Sequence, residues 1–473
     1  MVFSSILFLY IFLPVFLLVY HLVGKAYRNY VVLASSLIFY AWGAPKFVFL
    51  LITSLTLNFY IVQKLYSSTS NRKILLILSL LINVGLLAYF KYANFFVENV
   101  NYLLSQLGIE AVSWTKIILP IGISFFTFQS LTYTIDVYRN VHAPLKKLSD
   151  YLLYILMFPQ LIAGPIVRFN TIADEIVDRN KYETLDYKLT GFYRFVIGLS
   201  KKVLIANILG EQVDIIFAKP IAELDAGLAW VGIVAYSFQI YFDFCGYSDL
   251  AIGLGKMIGF NFPENFNNPY VSKNISEFWR RWHITLGTWM RDYLYIPLGG
   301  NRVNSKTRLY ANLIIVFLLS GLWHGASWNF VIWGAWHGLF LMLDRLFLEK
   351  LLKRLGSFFS VIFTYVIVVI GWVFFRVETF DDSIAYIGKM FSFEFNLSTS
   401  AFKPEFWTIL IIAAIFSFIT LSKTGKKLET SFYYTNYKIR GHIIAFIISI
   451  IFLLISSGYI ASFGFNPFIY FRF

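Results

Sequence analysis

The most regular feature of the sequence is the recurrence of long hydrophobic stretches that carry no charge. Eleven segments of seventeen or more residues lack Asp, Glu, Lys and Arg: 1–24, 29–45, 47–63, 74–90, 117–135, 151–167, 226–242, 309–343, 355–375, 406–422 and 441–471. The 309–343 segment is long enough for two spans, or for one span and a re-entrant segment. Because a membrane helix needs about 20 mostly apolar residues, the pattern predicts an all-α, polytopic membrane protein with roughly 11–13 membrane helices.

Two of these segments contain residues that interrupt helices. They read LPIGIS at 119–124 and FPQLIAGP at 158–165. Irregular backbone survives at membrane depth only where protein or water satisfies its polar groups. We therefore expect broken or half-inserted helices at both places.

Composition and charge agree with a membrane protein. Hydrophobic residues make up 58% of the chain and charged residues only 14%, whereas ordinary domains in water carry roughly 25% charged residues. The net charge of +14 is more typical of basic cytoplasmic loops than of nucleic-acid binding. The basic segments alternate along the chain so that they predict an external N-terminus, and no nucleic-acid partner is expected.

The segment 278–302, FWRRWHITLGTWMRDYLYIPLGGNR, is unusually rich in Trp and Arg. At 100° per residue it forms one amphipathic helix with Trp279, Trp282 and Trp289 on the apolar face. Arg280, Arg281 and Arg291 lie on the polar face, and His283 lies at the seam between the two. The simpler interpretation of such a helix is an interfacial anchor. The PLGGNR turn after it, 297–302, could present backbone amides to an anion.

Two histidines lie within the uncharged segment 309–343. His324 and His337 each belong to a Trp-His-Gly triplet. An ionisable residue at membrane depth is costly and indicates function, and a histidine can take and return a proton near neutral pH. Thirteen residues separate the two, so they can share a reaction centre only if the helix breaks at Gly325. We expect one to be catalytic and the other to be structural or to line the pathway.

Two aspartates lie at the edge of another apolar segment, YSFQIYFDFCGYSDLAIGLG at 236–255. Asp243 and Asp249 are six residues apart and so occupy different faces of a helix. This spacing argues against a paired-carboxylate site and favours ion pairs with Arg280 or Arg281. Cys245 could carry an acyl thioester, but a small core residue is the simpler interpretation. The sequence contains no metal-ligand motif, Walker sequence, dinucleotide glycine pattern or nucleophile elbow.

These segments together resemble the membrane-bound O-acyltransferase family. The segments 278–302 and 319–338, LSGLWHGASWNFVIWGAWHG, carry the general resemblance. A narrower resemblance, to the bacterial branch that O-acetylates alginate and peptidoglycan, rests on 119–139, 158–169, 241–255 and the C-terminal NPFIYFRF. The resemblance covers nearly the whole chain and implies one domain, 1–473, folded around a transmembrane tunnel in the bacterial cytoplasmic membrane.

The family resemblance implies roles for particular residues. His324 corresponds to the family's downstream histidine and is expected to act as general base on a hydroxyl. His283 corresponds to the upstream polar partner and is expected to hydrogen-bond the acyl carbonyl or the oxyanion. The remaining expected substrate-site residues are Arg280, Arg281 and Arg291 for donor phosphates, Asp243 and Asp249 to order these arginines, and Trp323 and His337.

The same resemblance implies the reaction partners. Acetyl-CoA is the expected cytoplasmic acyl donor, and no cofactor or metal is expected. A separate extracytoplasmic partner of the SGNH-esterase type would complete O-acetylation of the polysaccharide. Two enzymes compete with this interpretation, a D-alanyl transferase for teichoic acid fed by a carrier protein and, less favoured, a lipid acyltransferase. Outside the enzymes, a polymer transporter and a non-catalytic scaffold remain as alternatives, although the chain lacks the internal repeats of many transporters.

Overall fold

The computed structural model describes residues 2–395, 402–433, 437–463 and 468–469, and over this part of the chain the secondary structure is helical, without strands. The all-α prediction is therefore confirmed. The chain divides into two compact units, Met1–Lys188 with Leu254–Phe262, and Leu189–Gly253 with Pro263–Phe473. The prediction of a single domain stays a prediction.

Besides shorter 3₁₀ and π-helical segments, the first unit contains nine α-helices among its described residues. They are α1 (Leu13–Leu22), α2 (Arg28–Gly43), α3 (Val48–Ser67), α4 (Arg72–Leu87), α5 (Ala93–Gln106), α6 (Ile123–Tyr138), α7 (Leu148–Leu156), α8 (Phe158–Leu161) and α9 (Phe169–Val177). A tenth helix, α10 (Leu185–Ser200), begins in the first unit and continues into the second.

The second unit contains the remaining described helices. They are α11 (Asn207–Phe217), α12 (Ala226–Met257), α13 (Ile275–Arg281), α14 (Ile284–Met290), α15 (Lys306–His324), α16 (Trp328–Leu343), α17 (Glu349–Leu355), α18 (Ser357–Arg376), α19 (Phe380–Met390), α20 (Pro404–Phe418), α21 (Lys423–Tyr433) and α22 (Ile439–Phe463). The last turn of α12 belongs to the first unit.

Seven helices of the described chain are long and apolar enough to cross a membrane, and Phe8–Leu22 is a shorter apolar helix. The seven are Pro45–Ser67, Arg72–Gln106, Ala226–Met257, Trp328–Leu355, Ser357–Arg376, Pro404–Leu421 and Ile439–Phe463. This number is lower than the expected eleven to thirteen, because several uncharged segments form short or interrupted helices. For example, α2 and α6 have 16 residues each, and 151–167 is divided between α7 and α8.

Both predicted breaks occur in the first unit. Residues 109–120 form no helix, and α6 begins only after Gly122, whose φ is +79°. A β-carbon on Gly122 would lie 2.7 Å from the carbonyl oxygen of Leu161, in the second broken segment. The two interruptions therefore lie against each other.

In the second unit, α15 and α16 pack with their backbones in close approach. A β-carbon on Gly321 would lie 2.1 Å from the carbonyl oxygen of Phe330, and one on Gly334 would lie 2.3 Å from that of Phe317. Only glycine fits at these two positions. The 309–343 segment therefore contains two helices joined by a tight turn. Of the two, only the one that includes α16, Trp328–Leu355, is among the seven candidate spans.

Aromatic side chains form the core of this unit. Trp282, Trp333 and Trp372 are almost fully buried. The rings of Trp282 and Trp372 have centroids 4.9 Å apart, and those of Trp333 and Trp372 are 6.1 Å apart. Because large aromatic residues bury much apolar area with defined ring geometry, this cluster fixes the segment 278–283 against α16 and α18.

Candidate functional site

The backbone turns sharply at His283. Helix α13 ends at Arg281 and α14 starts at Ile284, and His283 between them has a left-handed backbone with φ of +44°. The predicted single amphipathic helix over this stretch is therefore wrong. The helix is broken because the neighbouring loop takes its backbone bonds: the amide of Asn267 donates to the carbonyl of Arg281, and the amide of Ile284 donates to that of Asn265, each at 2.9 Å.

The side chain of Asn265 binds the residues on the far side of the break. Its Oδ1 lies 3.0 Å from Nδ1 of His283 and 2.8 Å from the hydroxyl of Thr285. The backbone amide of Thr285 donates to the same oxygen at 3.4 Å, and Nδ2 of Asn265 donates to the hydroxyl of Ser248 at 3.0 Å. The left-handed turn and the orientation of the imidazole are thus held by one asparagine.

His324 is the last residue of α15. The helix ends there because Gly325 follows with an extended backbone, at a place where a β-carbon would clash with the ring of Phe330. The helix does break at Gly325, which is the condition for His324 and His337 to share a reaction centre. The break places His324 at the end of α15 and His337 in the middle of α16.

His283 and His324 face each other inside the second unit. Their ring centroids are 6.5 Å apart, with the planes inclined at 62°, and both side chains are buried. Trp323 contacts both rings, with centroids at 5.9 Å from His283 and 4.9 Å from His324. The rings are too far apart for a direct hydrogen bond and close enough to hold one polar group between them.

Burial sets the charge of His283. Desolvation lowers the pKa of its imidazole to about 3, because a charged ring loses its hydration. Its Nε2 is buried and has no hydrogen-bond partner among the described residues. His283 therefore has a neutral imidazole at neutral pH.

His337 packs among aromatic rings. Its ring centroid lies 5.0 Å from that of Trp279 and 5.1 Å from that of Trp333. Trp333 also contacts His324, at 5.0 Å between centroids, so this indole separates the two Trp-His-Gly histidines. Neither ring nitrogen of His337 has a hydrogen-bond partner in the described part of the chain.

The two aspartates do not pair with the predicted arginines. Asp249 accepts from Nε of Arg194 at 2.9 Å and from Nζ of Lys201 at 2.7 Å. Asp243 forms an ion pair with Lys202 and accepts from the backbone amide of Ile469 at 2.8 Å. The expectation that these carboxylates order Arg280 or Arg281 is therefore wrong, because nearer cations on α10 and on the helical turn after it neutralise them.

Two arginines of 278–302, Arg281 and Arg291, have local partners. Arg281 forms an ion pair with Glu277 at 2.9 Å, and Arg291 forms one with Asp292 at 2.7 Å. Arg280 and Arg291 are exposed. Their predicted role in binding donor phosphates stays a prediction.

The turn at 297–302 does not offer its glycine amides to a ligand. The amide of Gly299 donates to the carbonyl of Ile296, and that of Gly300 donates to Tyr295, both at 2.9 Å. The amide of Arg302 donates to Gly299. The suggestion of an anion-binding turn is therefore wrong for these three amides, since they complete the turn itself.

Sequence reasoning missed the cations that neutralise the two aspartates and the asparagine that binds His283. Arg194, Lys201 and Lys202 lie in the mostly apolar stretch 193–210, and charges in such a stretch signal buried partners. Asn265 lies in a loop, NFPENFNNPY at 261–270, where no periodicity or motif marks it. The NPFIYFRF segment lies outside the described residues except for Phe468 and Ile469.

The fold and the site define a polytopic helical membrane protein with a buried pair of histidines. The chain belongs to the membrane-bound O-acyltransferase family, whose model matches residues 78–377. It is therefore an acyltransferase, and both histidines of the pair lie within the matched region.

Several relatives match most of the chain. A protein named "Probable alginate O-acetylase" from Azotobacter vinelandii is 42% identical over 428 residues, 90% of this chain and 85% of the relative. The peptidoglycan O-acetyltransferase of Helicobacter pylori is 38% identical over 82% of this chain and 80% of its own. The teichoic acid D-alanyltransferase of Bacillus subtilis is 31% identical over 50% of this chain and 60% of its own.

Proposed function

We propose that the protein transfers acetyl groups from a thioester donor, acetyl-CoA, for O-acetylation of a polysaccharide outside the bacterial cytoplasmic membrane. The identity of 38–46% to relatives named for alginate or peptidoglycan O-acetylation supports the acetyl group and the class of acceptor. The observation that carries the reaction type is the buried pair of His283 and His324, because acyl transfer to a hydroxyl needs a base in a water-poor site.

His324 acts as the general base in this proposal. It takes the proton of the acceptor hydroxyl as the hydroxyl oxygen attacks the thioester carbonyl carbon. The tetrahedral intermediate collapses, the carbon–sulfur bond breaks, and the proton passes to the departing thiolate. His283 binds a polar group of the acceptor or of the thioester, and Trp323 lines the site between the two histidines. His337 lies behind the indole of Trp333 and supports the site from there.

The proposed partners follow from the same chemistry. Arg280 and Arg291 are exposed, and Arg281 is half-buried beside Glu277; these three arginines bind the phosphates of the donor. The membrane lipids surround the apolar spans. A separate SGNH-type esterase or transferase outside the membrane receives the acetyl group, or completes its transfer to the polymer.

D-alanyl transfer from a carrier protein is the second candidate. It is favoured by the 31% identity to teichoic acid D-alanyltransferases over about half of this chain. The two candidates use different acyl donors, acetyl-CoA in one case and a D-alanylated carrier protein in the other, so a test of the donor distinguishes them. A polymer transporter, in contrast, consumes no thioester.

The first experiment compares the wild type with His324→Ala, both reconstituted in liposomes with acetyl-CoA labelled on the acetyl group. We expect the wild type to release free CoA and to transfer label to added polysaccharide or partner protein, and the variant to lose both by at least about 100-fold. Equal melting temperatures provide the folding control. Absence of CoA release from the wild type, with a suitable partner present, would exclude the acetyl-CoA mechanism, and an acylated carrier protein would then be tested as donor.

A further inference from the structure

The hydrogen bonds of Asn265 determine which nitrogen of His283 carries the proton. A backbone amide can only donate, so the side-chain atom of Asn265 that faces the amide of Thr285 must be the acceptor Oδ1. The opposite assignment would place the NH₂ group against the backbone N–H of Thr285, so that two donors would face each other, whereas the hydroxyl of Ser248 can donate or accept in either orientation. The orientation of the Asn265 amide is therefore fixed by its own neighbours.

This orientation has a direct consequence for the imidazole. Oδ1 of Asn265 lies 3.0 Å from Nδ1 of His283, and a carbonyl oxygen offers only lone pairs. Nδ1 must therefore hold the proton. A neutral imidazole has one N–H, so Nε2 is left as a bare lone pair, and it is buried without a partner among the described residues.

We propose that Asn265 is a positioning residue that locks His283 in the Nδ1–H tautomer, so that Nε2 accepts a hydrogen bond from an O–H or N–H group of a substrate. This inference deepens the proposed function and rests on it for the substrate. It revises the role predicted for His283, because a neutral imidazole in this tautomer has no N–H to offer to an oxyanion. Two substrates could supply this O–H or N–H group: the polysaccharide or partner hydroxyl that accepts the acyl group, or the amide N–H of a pantetheine-type thioester.

The backbone at the site supports this assignment. His283 has a left-handed conformation that costs energy for a residue with a β-carbon. The neighbouring Asn265 supports it twice, through its carbonyl to the amide of Ile284 and through its side chain to the amide of Thr285. The strained turn thereby brings Nδ1 of His283 to Oδ1 of Asn265, the same oxygen that binds Thr285. The edge-on contact with Phe244, at 4.6 Å between centroids and 89° between planes, restricts the ring further.

The tautomer can be read directly, without any assay of activity. We would label the reconstituted protein with ¹⁵N-histidine, assign His283 by its loss in His283→Gln, and record solid-state NMR spectra. The expected result is a protonated Nδ1 and an unprotonated Nε2 in the wild type, preserved in Asn265→Asp and lost in Asn265→Leu. A proton on Nε2 in the wild type would overturn the proposal, whatever reaction the protein catalyses.

Kinetics test whether the tautomer matters. We expect Asn265→Leu to lower kcat/KM by about 10–100-fold, and Asn265→Asp, which keeps an acceptor for Nδ1, to retain most of the activity. Asn304→Leu is the matched control, since Asn304 has an exposed side chain. If Asn265 acts through His283, Asn265→Leu adds little to the defect of His283→Ala. Full additivity of the two defects would contradict the positioning role.

The two sources of the donor group are separated by varying one substrate at a time. A rise in KM for the acceptor alone assigns Nε2 to the hydroxyl, and a rise in KM for the thioester alone assigns it to the pantetheine amide. A fall in kcat with both KM values unchanged would contradict binding of either group by Nε2. Should Asn265→Leu fail to fold, the spectrum of the wild type and the kinetics of Asn265→Asp decide the matter.

Discussion

At the scale of single residues, His283 shows how neighbours stabilise a strained left-handed backbone and a buried ring. Its imidazole is neutral because burial lowers the pKa of the ring to about 3. The only titratable group whose ring contacts it among the described residues is His324. The carboxylates on α12 and on the loop of Asn265 are paired with cations: Asp243 with Lys202, Asp249 with Lys201 and Arg194, and Glu264 with Arg194.

This charge state predicts a dependence of stability on pH. The pKa of His283 is lower in the folded protein than in the unfolded chain, where it is about 6.5, so unfolding takes up a proton below that pH. Stability contributed by the neutral ring is therefore present above pH 6.5 and is lost as the pH falls toward 3, by about 2 kcal/mol at pH 5. We expect the melting temperature of the wild type to fall more between pH 8 and pH 5 than that of His283→Gln. Equal falls in the two proteins would contradict a neutral, buried His283.

The sequence indicated both histidines of the pair, but not what holds them. His324 stands out because an ionisable residue is rare in a long uncharged stretch, and that argument needs no structure. Asn265 is a polar residue in a polar loop, where it attracts no attention. Its role depends on the loop passing beside the turn at His283, a tertiary contact between residues 18 positions apart that no local pattern encodes.

At the scale of helices, the pairing of α15 and α16 determines where His324 lies. Gly321 and Gly334 allow the two backbones to approach, as small residues do where membrane helices pack closely. Their spacing on adjacent helices fixes the register of the pair, and the register sets the position of the turn at Gly325. His324 is thus positioned by backbone packing rather than by a flexible loop.

Substitution of these glycines therefore has a predictable cost. Gly321→Ala places a methyl group 2.1 Å from the carbonyl oxygen of Phe330, and we expect a loss of about 1–3 kcal/mol in stability from overpacking, seen as a lower melting temperature, together with reduced transfer. Gly458→Ala on α22 is the control, because no atom lies within 4 Å of its added methyl group and alanine favours helix. Equal melting temperatures of the two variants would refute the close approach of α15 and α16.

Hydrophobic pattern predicted most helices, and Pro and Gly marked two of their interruptions, but neither signal indicated the break at His283. The uncharged segments gave the spans because length and apolarity are local properties of the chain. The break between α13 and α14 escaped prediction, since residues 278–291 have a good helical periodicity and no Pro or Gly at positions 282–283. The loop at 265–267 competes for the backbone bonds there, and tertiary bonds outweigh a local preference.

At the scale of the whole chain, the alternation of basic segments predicts an orientation. The turn after α3 follows Lys64 and is expected in the cytoplasm, whereas the end of α5 is expected outside. Cys245, the single cysteine of the chain, is buried, so a Cys245→Ala background gives clean labelling. We expect a membrane-impermeant maleimide to label Gln106→Cys in intact cells and Ser70→Cys only after permeabilisation. The reverse pattern would overturn the orientation.

Fold class and family followed from the sequence, because apolarity and long motifs are properties of the chain itself. The partners of the buried aspartates did not follow from the sequence. The packing of α10 and its continuation against α12 pairs Asp243 and Asp249 with Arg194, Lys201 and Lys202. The predicted partners, Arg280 and Arg281, were therefore wrong.

The central helix α12 differs from the other apolar spans in how much of it is covered. Within its most apolar window 78% of the residues are buried, against 22% for Pro404–Leu421 and for Ile439–Phe463. Lipid accepts almost any apolar side chain, whereas a packed interior accepts only the shape it was built around. Among descendants of this chain, α20 and α22 should therefore drift freely between Leu, Ile, Val and Phe, while the sequence of α12 should change slowly and keep its small residues in place.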